Sequence, residues 1–115
     1  MGLGITNVQH SPSLLSLPNN ERISFITCGY NYTICLTETN LCYVWGGNYY
    51  GQLGLGDFDN CYSPTLFSLP NNETISFITC GFGFSLFLTL DNLLYFSGKL
   101  LEMESKTPIL INFQN

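Results

Sequence analysis

Ser16-Leu17-Pro18-Asn19-Asn20-Glu21, followed after Arg22 by Ile23-Ser24-Phe25-Ile26-Thr27-Cys28-Gly29, returns letter for letter as Ser68–Glu73 and Ile75–Gly81. The offset is 52 positions (68 minus 16). The same shift carries Gly2-Leu3-Gly4 onto Gly54-Leu55-Gly56, Ser11-Pro12 onto Ser63-Pro64, Leu36-Thr37 onto Leu88-Thr89 and Asn40-Leu41 onto Asn92-Leu93. One register explains the whole overlap. A fixed period of this length marks a repeated supersecondary unit that buries its apolar face mainly against its neighbours.

Within one period three β-type runs follow one another, Ile23–Cys28, Tyr32–Thr37 and Leu41–Trp45. They are separated by the turn-like spacers Gly29-Tyr30-Asn31 and Glu38-Thr39-Asn40. The runs are rich in Ile, Phe, Tyr, Thr and Val, and Ile34 and Leu36 alternate with Thr33 and Thr37 as in a half-buried strand. A fourth, shorter strand is expected after Pro64, at Thr65–Leu69. Four short antiparallel strands per period, with little helical periodicity, is the content of a propeller blade. The sequence therefore reads as all-β: two tandem four-stranded antiparallel blades of an incomplete, open β-propeller. Residues 1–115 make one partial propeller, with the end of a preceding repeat at 1–22, a complete repeat at 23–69 and a shortened, degenerate repeat at 75–115.

The bulk composition agrees with a packed chain. At 115 residues it fits one domain, and 45% hydrophobic with 15% aromatic residues is far from the profile of disorder. A formal net charge of -5, from 8 acidic and 3 basic residues, gives no electrostatic reason for direct binding to nucleic acid or to an anionic membrane surface. No apolar run approaches the roughly 20 residues that span a bilayer. Met1–Thr6 lacks the basic and apolar regions of a signal peptide, so the expectation is an intracellular protein, cytoplasmic or nuclear. The five cysteines, Cys28, Cys35, Cys42, Cys61 and Cys80, form no C-x-x-C pair and are expected to be reduced and mostly buried.

The stretch Tyr43-Val44-Trp45-Gly46-Gly47-Asn48-Tyr49-Tyr50-Gly51-Gln52-Leu53-Gly54-Leu55-Gly56-Asp57, with Cys28-Gly29 before it and Pro64 after it, resembles the repeat of the regulator of chromosome condensation family. Cys80-Gly81 and Gly98 carry parts of the same pattern in the next period. The resemblance implies a propeller of about seven blades when complete. It also implies a non-catalytic protein-interaction module with a protein partner, and no cofactor. The family's founding activity, guanine nucleotide exchange on the small GTPase Ran, is the alternative, as part of a larger or assembled propeller.

Read without the family, the string is structural. Gly46, Gly47, Gly51 and Gly54 point to turns with positive φ and to close backbone approach, Gln52 suits backbone groups that such turns leave open, and Trp45 reads as core. Gly-x-x-Gly-x-Gly at Gly51–Gly56 precedes no helix, which excludes a nucleotide loop. His10 has no neighbouring cysteine or carboxylate pair, and Asp57 and Asp59 are followed by no further ligand at calcium-loop spacing, so no catalytic residue and no metal ligand is assigned. Cys28, Cys35 and Cys42, seven apart on successive strands, make no tetrahedral set. The sequons Asn31-Tyr32-Thr33 and Asn72-Glu73-Thr74 have meaning only in a secreted chain.

The second repeat departs from the pattern. Ser97 stands where Trp45 stood, Lys99–Glu104 replaces the glycine-rich segment, and Pro108 follows Pro64 by 44 positions (108 minus 64), eight short of the period. The expectation is a poorly ordered third strand in the second blade; and because an open pair of blades exposes two sheet faces and unpaired edges, Phe25, Phe77, Phe82 and Phe84 are expected to meet water. Two blades cannot close a ring, and at least about three repeats are usually needed for stability. The chain is therefore expected to be a fragment of a longer propeller, a decayed copy, or a piece that completes itself by self-association through open blade edges.

Overall fold

In the computed structural model, which describes residues 16–111, each Ser-Leu-Pro-Asn-Asn-Glu segment closes into one 3-10 turn, Pro18–Asn20 and Pro70–Asn72. Proline presets φ at the first position, and Asn19 and Asn71 follow in the left-handed region at φ 60°, which asparagine tolerates because its short amide can bond locally. From these turns the chain enters two meanders. The first is β1 (Ile23–Gly29), β2 (Tyr32–Thr37), β3 (Cys42–Gly46) and β4 (Cys61–Phe67). The second is β5 (Ile75–Cys80), β6 (Phe84–Thr89), β7 (Leu94–Leu100) and β8 (Met103–Ile111). Each is a four-stranded antiparallel sheet in sequential order, and the two do not share a ladder. The repeat extends to the register: Phe25 faces Leu36 as Phe77 faces Leu88, and both first strands carry the same irregularity next to that pair. Gly2-Leu3-Gly4, His10 and Ser11-Pro12 lie outside the described residues, so the reading of 1–22 as the end of a preceding repeat rests on sequence.

The sheets pack face to face. The forward face of the first, with Tyr32, Ile34, Leu36, Cys42 and Val44, meets the rear face of the second, with Phe87 and Tyr95, and Leu53, Phe67, Ile75 and Ile78 complete one core. Phe67 stacks on Phe87 with ring centroids 4.6 Å apart. A second cluster of Leu17, Cys35, Tyr43 and Trp45 lies on the rear of the first sheet. β2 is thus covered on both sides, and even Thr37 is buried, which corrects the expectation of a half-buried strand there. An alternation of Ile and Thr indicates two faces, but whether the second face meets water depends on what stacks against it. Trp45 is core, as expected.

Three further expectations change. β4 starts at Cys61 and ends at Phe67, with Pro64 inside it, where Thr65–Leu69 was expected. An edge strand tolerates a proline because it needs no N–H on its outer side, and the ladder is irregular there, between the Val44–Thr65 and Gly46–Cys61 pairs. The cysteines are free, but only Cys35 and Cys42 are buried; Cys28 is exposed, and Cys61 and Cys80 are intermediate. Most importantly, β7 is well ordered and longer than β3, with seven residues against five. The missing loop does not strand it, because Leu100 pairs directly with Met103 and β8 returns along its length.

That short cut strains the chain at one point. Leu101, at the tip between β7 and β8, has φ 54° and is 88% exposed. Hairpin tips of this length favour Asn or Gly, since an L side chain in the left-handed region costs about 1–2 kcal/mol. Leu101→Gly is therefore expected to stabilise the protein by roughly 1 kcal/mol, net of glycine's extra entropy in the unfolded chain. Denaturant unfolding followed by the fluorescence of Trp45, the single tryptophan, measures it. An unchanged or lowered midpoint would contradict the strain.

Candidate functional site

The glycine-rich stretch after β3 folds on itself before it reaches anything else. Asn48 is fully buried and organises it: its Oδ1 accepts from the Leu53 N–H at 3.0 Å, and its Nδ2 donates to the Asp57 carbonyl at 3.0 Å and to Asp57 Oδ1 at 3.2 Å. The Asn48 N–H in turn donates to Asn60 Oδ1 at 2.9 Å. Gln52 does what its position suggested, its Oε1 accepting from the Tyr50 N–H at 2.9 Å. Asp57 Oδ1 also accepts from the Asp59 N–H at 3.1 Å, so this carboxylate is engaged in a turn. Gly46, Gly51, Gly54 and Gly56 have positive φ, whereas Gly47 does not.

So built, the loop crosses onto the second sheet. Gly51, at φ 80°, passes so close that a Cβ on it would lie 2.7 Å from Lys106 Cα, a backbone atom that cannot yield. The Gly56 N–H donates to the Lys106 carbonyl at 2.9 Å. Ser97 Oγ donates to the Gly51 carbonyl at 2.6 Å, and Ser85 Oγ to the Gln52 carbonyl at 2.8 Å. Both serines are fully buried. Leu53 is driven into the core between the sheets. From the other side Tyr32 reaches across, its hydroxyl donating to the Phe84 carbonyl and lying 3.2 Å from that of Gly81. The Tyr30 N–H donates to the Gly81 carbonyl at 3.3 Å.

The remaining signature residues divide by role. Gly29 and Gly81 leave room for the rings of Tyr32 and Phe84, which a Cβ would strike. Gly46 and Gly98 share the same backbone, with φ 110° and 117°. Cys28 ends β1 with Sγ 3.8 Å from Thr33 Oγ1, Cys80 packs half-buried against the core, and Pro64 lies in β4. None of them joins an arrangement of reactive groups. Among the described residues no three His, Cys, Asp or Glu side chains come together to hold a metal ion, and no helix is long and apolar enough to cross a membrane.

Sequence reasoning missed two features. Ser97 reads as a lost tryptophan, yet it is the donor that receives the loop of the preceding repeat. The second is an aromatic surface beside the loop. Tyr30 stacks on Phe82 at 4.6 Å, Phe82 lies 6.0 Å from Tyr50, and Tyr50 meets Tyr49 edge to face at 5.0 Å. Tyr30, Tyr49, Phe58 and Phe82 are exposed around a cleft of about 510 Å³. Tyr30 and Phe82 are 52 apart (82 minus 30), so the offset places a ring at the same turn position of each repeat, and the stacking of the sheets brings the two together. Of the four phenylalanines expected to meet water, Phe77 and Phe82 do, while Phe25 and Phe84 are partly buried.

Burial governs the titrating groups at the interface. Desolvation pushes the Cys35 thiol up to about 11 from 9.0, and raises Cys42, Cys80 and the Tyr32 hydroxyl as well. These groups stay protonated in the fold at a pH where the unfolded chain ionises them. For Cys35 that contribution is complete below about pH 9 and is lost as pH rises through about 11. The melting temperature, read from Trp45 fluorescence, is expected to hold steady from neutral pH to about 9 and to fall beyond it; a flat profile to pH 11 would refute this. Ser97→Ala is expected to cost about 1–3 kcal/mol, because the buried Gly51 carbonyl loses its donor. Thermal or urea unfolding of that variant measures the loss.

Comparison with known proteins follows the same division. Residues 40–88 match the family model described as Regulator of chromosome condensation (RCC1) repeat, and residues 23–52 match a second model of the same description. The ultraviolet-B receptor UVR8 of Arabidopsis thaliana is 32% identical over 95 residues, and protein RCC2 of Mus musculus is 32% identical over 98. These alignments cover 83% and 85% of this chain but 22% and 19% of the relatives, so the chain spans about a fifth of their length. The crystal structure of Prp20p from Saccharomyces cerevisiae superposes with a TM-score of 0.68 at 25% identity, covering 82% of this chain and 27% of that one.

Proposed function

Because this chain belongs to the regulator of chromosome condensation repeat family, carrying two of its blades, we propose that it is a non-catalytic protein-interaction module whose contact surface is the aromatic cleft beside the glycine-rich loop. The observation that carries this reading is the exposure of Tyr30, Tyr49, Phe58 and Phe82 together at one end of the sheets. Rings held by stacking lose little side-chain freedom on binding, and such clusters dominate the energetics of protein interfaces. The cleft is lined by amide and carboxylate groups, with Asn31, Gln52, Asp59 and Asn60 among them, which supply polar orientation around an apolar centre. We read the compartment of action as the cytoplasm or the nucleus, and the partner as a protein, with no cofactor required.

The second reading, guanine nucleotide exchange on a Ran-type small GTPase, draws on Prp20p, which is described with its binding to Gsp1p and histones. It needs more blades than this chain contains, and no residue here is assigned an exchange role. Tyr49→Ala and Phe82→Ala are each expected to weaken a bound partner by about 30-fold, and by up to about 10³-fold together, from roughly 2 kcal/mol per central aromatic. Binding by calorimetry or surface resonance, with Tyr62→Ala as an exposed aromatic outside the cleft for control, measures this. Equal losses in both would reject the cleft. Release of labelled GDP from the GTPase, with and without micromolar protein, separates the two readings: acceleration favours exchange, and its absence leaves the binding module.

A further inference from the structure

We infer that the aromatic cleft takes the cationic side chain of an arginine or lysine presented by the protein partner. This rests on the reading of the cleft as the contact surface and adds the chemistry of what enters it. The face of an aromatic ring is negative and attracts a cation within about 6 Å of its centre, more strongly where water is partly excluded. The cleft already shows this once, since Lys106 Nζ lies over the Phe58 ring, 5.4 Å from its centroid. The other rings are not all turned one way. Tyr30 and Phe82 stack at 28°, Tyr50 is tilted 50° to Phe82, and Tyr49 stands at 85° to Tyr50. Ring planes therefore run in several directions around a space of about 510 Å³, which suits a charged group approached from several sides better than a flat apolar one.

Charge points the same way. Among the described residues the lining holds one carboxylate, Asp59, and no lysine or arginine. The neighbouring Asp57 carboxylate is held by Asn48 and by the Asp59 N–H, whereas that of Asp59 is exposed and accepts no bond from the described residues. A cation seated on the rings thus finds a counter-charge at the rim, and the net charge of -5 draws basic segments toward the chain. An anionic side chain would be repelled by Asp59 and by the ring faces, and a purely apolar one would cover Asp59 without pairing it. All of the lining comes from the turn between β1 and β2, the loop after β3 and the turn between β5 and β6. The cleft therefore belongs to the junction of the two sheets rather than to the outer face of either.

Short Gly/Ser peptides carrying arginine, lysine, citrulline (the neutral isostere of arginine) or glutamate, titrated into the full chain at physiological salt and followed by amide NMR, test this. The arginine and lysine peptides are expected to shift the signals of the three cleft segments, and the citrulline and glutamate peptides to bind at least about 10-fold more weakly. Whichever cation binds more tightly identifies the residue that the partner presents. Tyr49→Leu and Phe82→Leu keep apolar bulk but remove the ring, so each is expected to weaken the cationic peptides about 5-fold, while Tyr62→Leu, outside the cleft, leaves them unchanged. Tyr49 is 79% exposed, so its replacement does not disturb the core. Citrulline binding as well as arginine through the same rings would overturn the cationic ligand and leave the cleft as an apolar contact surface. Cationic binding indifferent to both ring replacements would overturn it as attraction to net charge alone, and so would the absence of binding by either cationic peptide. Failure of the contact surface itself is read separately, from a protein partner that Tyr49→Ala and Phe82→Ala do not weaken.

Discussion

The second strand of each sheet, Tyr32–Thr37 and Phe84–Thr89, carries large apolar side chains on its forward face, Tyr32, Ile34 and Leu36 in one and Phe84, Leu86 and Leu88 in the other, and buries its rear face as well, so neither sheet can hide its apolar surface alone. Everything else in the molecule answers that constraint. Face-to-face stacking removes one open face from each sheet and forms the single large core between them. The stack must then be held in one register, since hydrocarbon faces slide easily. Directional bonds do this: Tyr32 to the Phe84 carbonyl from one side, and Ser85 and Ser97 to the loop carbonyls from the other. Among the described residues no buried side-chain oxygen or nitrogen lacks a partner, as a low-dielectric interface demands.

The glycine-rich loop is the piece that converts two sheets into one body. Asn48 ties its start to Leu53 and Asp57, and the loop meets the second sheet by backbone, which is why glycine is required at position 51. The same fold of the loop places Tyr49 and Tyr50 beside Tyr30 and Phe82 at the sheet end. Structural closure and the exposed aromatic surface are therefore products of one loop. The second repeat, which has a tight hairpin in its place, forms no such surface of its own and ends in the exposed tip at Leu101.

Much of this was legible in the chain. The 52-residue offset located both sheets, and the turn residues Asn31, Asn40 and Asn92, all at positive φ, separate the strands where the spacers suggested. The loop's internal bonds follow from residue types that make them locally. Strand ends were less legible. Pro64 misled because a missing N–H matters only on a paired edge, and Leu94–Leu100 misled because a deletion removes a loop without removing the ladder on either side.

By itself the sequence determined the repeat, the strands, the turn chemistry and the family, since all of these depend on side chains close in the chain or on identity at one offset. Only the tertiary structure decided which faces are covered, what Ser97 does, and where the aromatic rings gather. Burial and hydrogen bonding across the interface join residues some fifty apart, such as Gly51 with Ser97 and Tyr30 with Phe82, and no local preference specifies those distances. They exist because two sheets with apolar faces must stack, and the stack brings these groups within reach.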